Sequence, residues 1–509
     1  MTSLGARRWW VLGALVVILL AVSLDLTALN VALPTLSTEL RASTGALQWI
    51  VASYTLVSAA LLIPAGLLGD RYGRKKVLLG GITVFLLASV LATWVSSPGA
   101  LIAARTLMGV GSAVITPLAM SVMLVVFPKE EQPKALAAWA GASLLGLPLG
   151  PIIGGYLLDH FWWGSIFFIN IPVSVVALVL GLILIPESRS AVAPRPDYTG
   201  LLLSTGGLAG VVYGAIQEEE FGWGDVRVWG VMTAGAVALA AFVAWTRRAR
   251  RPLVDLDLFR DRRFTGGAVP ATLLTFALFG VLFVTPQYFQ GVLGADALGS
   301  GLRLLPLIGG LLVTSKLSPR LVARVGAALV IAGGGVIMAA GMVLGAFSTV
   351  DTGYGMAATW LTVTGLGMGL VLPASMTAAM GALSAERAGV GSALLMTIRL
   401  VGGAFGAAVL GSLLSAGYRG RVDVTGLPSA AAAAARDKVG GGLQIARESH
   451  DAGLLRSARS AFVHGMDLTL VAGAGIMIVA ALLAVVLLPR RHAAEGTVDG
   501  QSEHEYASA

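Results

Sequence analysis

"RTLMGVGSAVITP", residues 105–117, returns in altered form as "LTVTGLGMGLVLP", residues 361–373. Both read G-x-G-x5-P, with Gly109, Gly111 and Pro117 matching Gly365, Gly367 and Pro373 at one constant offset. The same offset carries Gly146, Gly150 and Gly155 onto Gly402, Gly406 and Gly411. Generic apolar composition does not place small residues at one fixed separation over so long a stretch. The pattern predicts two parallel repeats of closely packed helices.

Composition fixes the solvent of those helices. The chain has 509 residues, 56% hydrophobic and only 12% charged, with a mean hydropathy of +0.83. A soluble domain carries about 25% charged residues, so most of this surface faces lipid. Cysteine is absent, and the five histidines (His160, His450, His464, His492, His504) form no pair at ligand spacing. No metal site, disulfide or thiol nucleophile is expected. No nucleophile–base set or phosphate loop appears either, so no enzymatic activity is expected. The +8 formal charge is the excess expected of cytoplasmic loops rather than a sign of nucleic acid.

A helix needs roughly 20 apolar residues to cross a bilayer. That length places fourteen spans, near 9–33, 45–68, 77–95, 99–125, 135–158, 166–186, 198–217, 228–246, 266–288, 300–316, 327–347, 356–381, 390–416 and 463–488. The apolar run from Trp9 is too long for a cleaved signal peptide and reads as the first span. The expected architecture is all-α: a six-helix bundle over 9–186, two inserted helices over 198–246, and a second six-helix bundle over 266–488. That last bundle includes an outer loop, 417–462, and is followed by a tail, 489–509. Basic stretches such as "DRYGRKK" and "TRRARRPLVDLDLFRDRR" put both termini in the cytoplasm.

Polar residues inside spans carry the functional signal. "LDLTALNVALP", residues 24–34, places Asp25 and Asn30 inside span one. At 1.5 Å per residue Asp25 lies roughly 24 Å from the inner surface, and Arg105 roughly 9 Å below the outer one. Both therefore sit in the outer half at similar depth. An intramembrane charge costs several kcal/mol unless it finds a partner or water. A static pair meets that need. A proton site tuned by the arginine also explains why Leu361 replaces Arg105 in the second repeat. "GLLGDRYGRKK", residues 66–76, combines Gly66, Asp70, Arg71, Gly73 and Arg74 in the loop after span two. Gly146, Gly150 and Gly154, spaced by four beside Pro151 and Gly155, make a smooth face for a neighbouring helix. Tyr54, Gln287, Tyr288, Gln290 and Arg399 offer hydrogen bonds or charge to a central cavity.

In this order "LDLTALNVALP", "GLLGDRYGRKK", "RTLMGVGSA", "GPIIGG", "FFINIPV" (167–173) and "QYFQGVLG" (287–294) resemble the major facilitator superfamily. The resemblance is to its fourteen-helix drug:H+ antiporters of the EmrB/QacA type, and it covers essentially the whole chain. It implies that Asp25 is the proton-linked acid and Arg105 its span-four arginine. It also implies a cytoplasmic latch at Asp70–Arg74 and the antiporter motif at Gly146–Gly155. "SPRLVARVG", residues 318–326, lacks the acid of a second latch. The implied protein is a monomeric bacterial inner-membrane exporter, surrounded by lipid, without cofactor and driven by the proton gradient. Its substrates would be hydrophobic or amphipathic drugs, or alternatively a self-made metabolite or lipid.

Overall fold

The computed structural model describes residues 2–128, 131–189, 197–221, 224–249, 256–383, 388–437 and 439–488. The expected tail, 489–509, lies outside them. All regular structure among the described residues is helical. A first group comprises α1 (Thr2–Glu39), α2 (Thr44–Tyr72), α3 (Arg74–Trp94), α4 (Pro98–Val126), α5 (Gln132–His160), α6 (Ser165–Phe168) and α7 (Asn170–Leu184). Two further helices follow, α8 (Tyr198–Phe221) and α9 (Val226–Arg248). The last group begins with α10 (Arg262–Gln287), α11 (Ala297–Leu302), α12 (Leu305–Val325) and α13 (Ala327–Gly345). It continues through α14 (Tyr354–Met380), α15 (Ala388–Arg421), α16 (Ser429–Asp437), α17 (Val439–Glu448) and α18 (Ala452–Leu487). Among the described residues thirteen helical segments are long and apolar enough to cross a membrane. The separate helix α5 stands where the fifth span was expected.

The first N–H groups of a helix have no carbonyl of their own helix to satisfy them. Side chains do it instead. Ser43 and Ser97 accept from the N–H groups of Ala46 and Ala100 at the starts of α2 and α4. Asp261 and Asp451 each accept two N–H groups, at the starts of α10 and α18.

The repeated glycines show how the bundle is assembled. A side chain at Gly109 would strike the backbone of Tyr54 on α2, and one at Gly111 would strike Phe85 on α3. In the second group Gly365 meets Leu307 on α12, and Gly367 meets Gly334 and Met338 on α13. So α4 lies on α2 and α3 as α14 lies on α12 and α13. Likewise Gly146 and Gly150 abut Ser23 and Thr27 on α1, while Gly402 and Gly406 abut Thr272 and Phe276 on α10. The last glycine of each set crosses between groups: Gly155 of α5 meets Ala297 and Leu298, and Gly411 of α15 meets Gln48 of α2. Shared sequence thus becomes shared packing.

The end of the bundle where α1 begins is here the terminal end, and the opposite one the far end. Three hydrogen bonds close the groups together at the far end. The Asp159 carboxylate accepts from the N–H groups of Ala297 (3.1 Å) and Leu298 (2.8 Å) at the start of α11. Gln290 donates to the Val31 carbonyl of α1 at 2.9 Å. Helices α8 and α9 pack on each other, and α8 covers the seam between α2 and α15. There Val212, Ala215 and Ile216 bury against Ala52, Leu56, Ala404 and Ala408.

Two expected boundaries are corrected. The short span 300–316 is a bent pair, α11 and α12, and α12 continues to Val325. Its extension carries Lys316, Arg320 and Arg324 on an exposed side, while Leu311, Thr314 and Ser318 stay buried. A hydropathy window stops at the first basic residue; an amphipathic helix does not. The loop expected over 417–462 is largely helical, because α15 runs to Arg421 and α18 starts at Ala452. Between them α16 and α17 fold against the bundle, with the Tyr418 hydroxyl donating to the Ala435 carbonyl at 2.8 Å.

Close packing of α5 on α1 makes a direct prediction. Gly150→Leu forces a branched side chain into Thr27 and the α1 backbone, whereas a Cβ at Gly66 meets nothing within 4 Å. Overpacking of this kind costs about 1–3 kcal/mol or more. Thermal unfolding in detergent should therefore show Gly150→Leu clearly destabilised and Gly66→Ala unchanged. Equal effects would contradict the assignment of the close contact.

Candidate functional site

Asp25 lies on α1, where its neighbours Ser23, Thr27 and Ala28 are the residues that the α5 glycines press against. The Thr27 hydroxyl donates to the Gly146 carbonyl at 2.9 Å, fixing the register of the two helices beside the acid. This turn of α1 is therefore held closely against α5. The glycine face positions the acid instead of merely filling space.

Arg105, on α4, is turned inward and buried. One guanidinium nitrogen donates to Asp25 Oδ2 at 2.5 Å, and Nε donates to the Ile50 carbonyl of α2 at 3.3 Å. The Tyr54 ring lies beneath the guanidinium, 4.3 Å from centroid to Cζ. Cation–π contact and a backbone acceptor compensate a charge that has left water. The other carboxylate oxygen, Oδ1, accepts from Asn170 Nδ2 at 3.1 Å. Four helices thus converge on one carboxylate: α1 bears it, α4 and α7 donate to it, and α2 steadies the arginine. A narrow crevice bounded by Leu24, Asp25, Gly150, Ile153, Gly154 and Ile166 reaches the acid from its α5 side.

The other predicted residues fall into separate places. Asn30 does not join Asp25; its amide donates to the Leu26 carbonyl of its own helix at 3.3 Å. Asp70 pairs with Arg74, whose Nε and second nitrogen both lie 2.8 Å from Oδ1. Arg71 stands over the Tyr72 ring. Gly73 has φ +113°, a left-handed backbone that favours glycine. It also lets Glu187 approach, which accepts from the Lys75 N–H at 3.2 Å while Arg74 N–H donates to the Ser188 carbonyl. These contacts of Asp70–Arg74 lie within the first group of helices and the residues that follow α7. Pro151 and Gly155 face α11, where the Pro151 carbonyl approaches Gly301.

Gln287, Tyr288 and Gln290, expected to line a cavity, lie in the closed far end. Gln287 donates to Phe283 of its own helix, Tyr288 is buried, and Gln290 bridges to α1. Tyr54 belongs to the Asp25 site. A narrow apolar cleft, with free space of only about 30 Å³, lies between the groups instead, lined by Thr27, Pro151, Leu278, Leu282, Leu307, Leu311 and Met368 among others. Arg399, partly exposed, is the expected cavity residue that lies neither at the Asp25 site nor in the far-end closure. Sequence reading missed Asn170, Asp159 and Asp467. Asp467 is a half-buried acid of α18 whose Oδ1 finds no hydrogen-bond partner among the described residues.

An all-helical bundle with repeated halves, an apolar pocket between them and one intramembrane ion pair defines a polytopic membrane carrier. The family model of the Major Facilitator Superfamily matches residues 15–407. The chain belongs to that superfamily. It is 34% identical over 415 residues to the tetracenomycin C resistance and export protein of Streptomyces glaucescens, covering 81% of this chain and 77% of that one. It is 32% identical over 502 residues to the multidrug efflux pump LfrA of Mycolicibacterium smegmatis, covering 96% and 98%. The fold also resembles a solved bacterial homologue of the human lysosomal transporter Spinster. The TM-score is 0.68 and the identity 18%, over 94% of this chain and 97% of that one. Its relatives along the sequence are thus drug and antibiotic resistance and export proteins.

The ion pair gives a stability prediction. Breaking a buried pair from one side leaves an uncompensated charge and costs about 3–5 kcal/mol. Arg105→Gln alone should lower the unfolding midpoint sharply, as should Asp25→Asn to a lesser degree. The double variant Asp25→Asn/Arg105→Gln should regain most of the loss. Additive losses in a double-mutant cycle would show that the two groups are not coupled.

Proposed function

We propose that the chain is a proton-coupled exporter of hydrophobic or amphipathic compounds, of the fourteen-helix drug:H+ antiporter type. One observation carries the reading: a buried carboxylate held by Arg105 and Asn170, with a crevice leading to it. The guanidinium and the amide on one side and the apolar wall on the other make up the surroundings of that carboxylate. Two conformations that change either set of contacts would change the proton affinity, as coupling requires. The pocket between the halves supplies the second requirement, a substrate site that both groups of helices line.

The positive-inside pattern supports both termini in the cytoplasm, so that the far end faces outward. Closure there by Asp159 and Gln290 corresponds to a carrier shut toward the outside. Transport then requires these contacts to open while the Asp70–Arg74 region rearranges against the rest of the terminal end. The bacterial inner membrane, a monomeric unit surrounded by lipid, and energy from the proton gradient alone complete the proposal. A relative whose name joins resistance to export favours a second reading, export of a compound made by the cell itself.

The test is efflux from cells that lack other pumps, using chemically varied dyes and antibiotics with and without a protonophore. The wild-type chain should expel at least one compound in a protonophore-sensitive way. Asp25→Asn, a permanently neutral mimic, should reach the membrane in normal amount and lose uphill efflux. Full protonophore-sensitive efflux by Asp25→Asn would leave the acid a structural partner of Arg105.

A further inference from the structure

Asp25 is neutralised by Arg105, which leaves a second intramembrane cation to account for. Arg399 lies eleven residues into α15, roughly 16 Å along its axis. It is only partly exposed and is enclosed by α10, α14 and its own helix. Among the described residues no carboxylate pairs with it. Nε donates to the Thr275 hydroxyl at 3.4 Å, and one terminal nitrogen lies 3.8 Å from Met376 Sδ and 3.9 Å from Met396 Sδ. A guanidinium has five N–H donors, and thioethers are weak acceptors. Most of its hydrogen-bonding capacity is therefore unmet in a place where unmet charge is costly.

The position of these partners says where the charge points. Thr275, Leu278 and Leu282 recur at three- and four-residue spacing on one face of α10. Leu278 and Leu282 line the apolar pocket between the halves, and Thr275 continues that wall by one turn toward the terminal end. On α14, Met368 lines the same pocket and Met376 lies two turns nearer the terminal end. Arg399 thus stands on the terminal-end side of the pocket, its partner Thr275 roughly 10 Å from Leu282 along the α10 axis. Apolar lining and lone cation thus follow one another along α10 and α14 as one elongated candidate site.

We propose that this site binds amphipathic anions, with an apolar body against Leu278, Leu282, Leu307 and Met368 and an acidic oxygen on Arg399. The ligand class is an aromatic or aliphatic carboxylate or other oxyanion about 10 Å long. Planar guanidinium geometry suits a two-oxygen head group, which would occupy the donors that Thr275 leaves free. A cation at the same place meets Arg399 without a compensating acid, because Asp25 is already paired. This assignment rests on the export reading for its purpose, but binding itself needs no transport.

The experiment is equilibrium fluorescence binding to the full-length protein in lipid nanodiscs, with three probes sharing one ring system. They are 9-anthroate (anion), its methyl ester (neutral) and 9-(aminomethyl)anthracene (cation). The wild type should bind the anion about ten- to a hundredfold more tightly than the cation, the range of a charged hydrogen-bonded contact. Arg399→Gln should lose that preference and leave ester binding within about threefold, and Arg399→Lys should retain part of it. Equal wild-type affinity for the three probes overturns the proposal, whatever the variants do. So does undiminished anthroate binding by Arg399→Gln. Should anthroate bind as expected but not move uphill in everted vesicles, the export reading fails and the anion site stands.

Discussion

Burial of the Asp25–Arg105 pair in an otherwise apolar bundle is the constraint on which the first group of helices depends. Two charges removed from water need every remaining donor and acceptor met, or the desolvation cost exceeds their attraction. The helices around them supply what is needed: the Ile50 carbonyl and Tyr54 ring from α2, and the Asn170 amide from α7. The α5 glycines clamp α1 on both sides of the acid, and Thr27 ties the two together through the Gly146 carbonyl. A motif that reads as packing is thus the mould of the charged site. Movement of α1 relative to α4 or α7 alters the environment of the carboxylate directly.

The second group repeats the packing without the charges. Leu361 is buried at the position that corresponds to Arg105, and its neighbours Gly365 and Gly367 make the same kind of helix contacts as Gly109 and Gly111. Its polar residues lie elsewhere, Arg399 toward the terminal end and Asp467 toward the far end. One architecture therefore supports two tasks. The first half holds the buried acid, and the second contributes most of the pocket wall through α10, α12 and α14. The halves meet through Gly155 and Gly411, a pseudo-symmetric pair of close contacts.

Much of this was legible in the sequence for definite reasons. Helix length, glycine offset and charge depth are one-dimensional quantities, so the spans, the repeat and the approach of Asp25 to Arg105 followed from counting. Asn170 did not follow, because an amide near the start of a helix reads as an ordinary end residue. Only folding brings it across 145 positions to Asp25. Gln287, Tyr288 and Gln290 were placed in the cavity on polarity alone. The π-helical turn Tyr288–Val292 that turns this stretch into the far-end closure has no simple periodicity. Asp159 escaped notice because its partners are backbone N–H groups, which every sequence offers everywhere. The extended α12 was hidden by basic residues that only an amphipathic reading tolerates.

The central claim is that Asp25 exchanges a proton and is not locked in a static pair. Infrared difference spectroscopy of the purified protein, recorded between alkaline and acidic pH, reads carboxyl protonation directly. The wild type should show a protonated-carboxyl C=O band on acidification that is missing from Asp25→Asn, while bands from other acids, Asp467 included, persist in both. Superimposable difference spectra from the two proteins would contradict the account, leaving Asp25 a permanent counter-ion of Arg105.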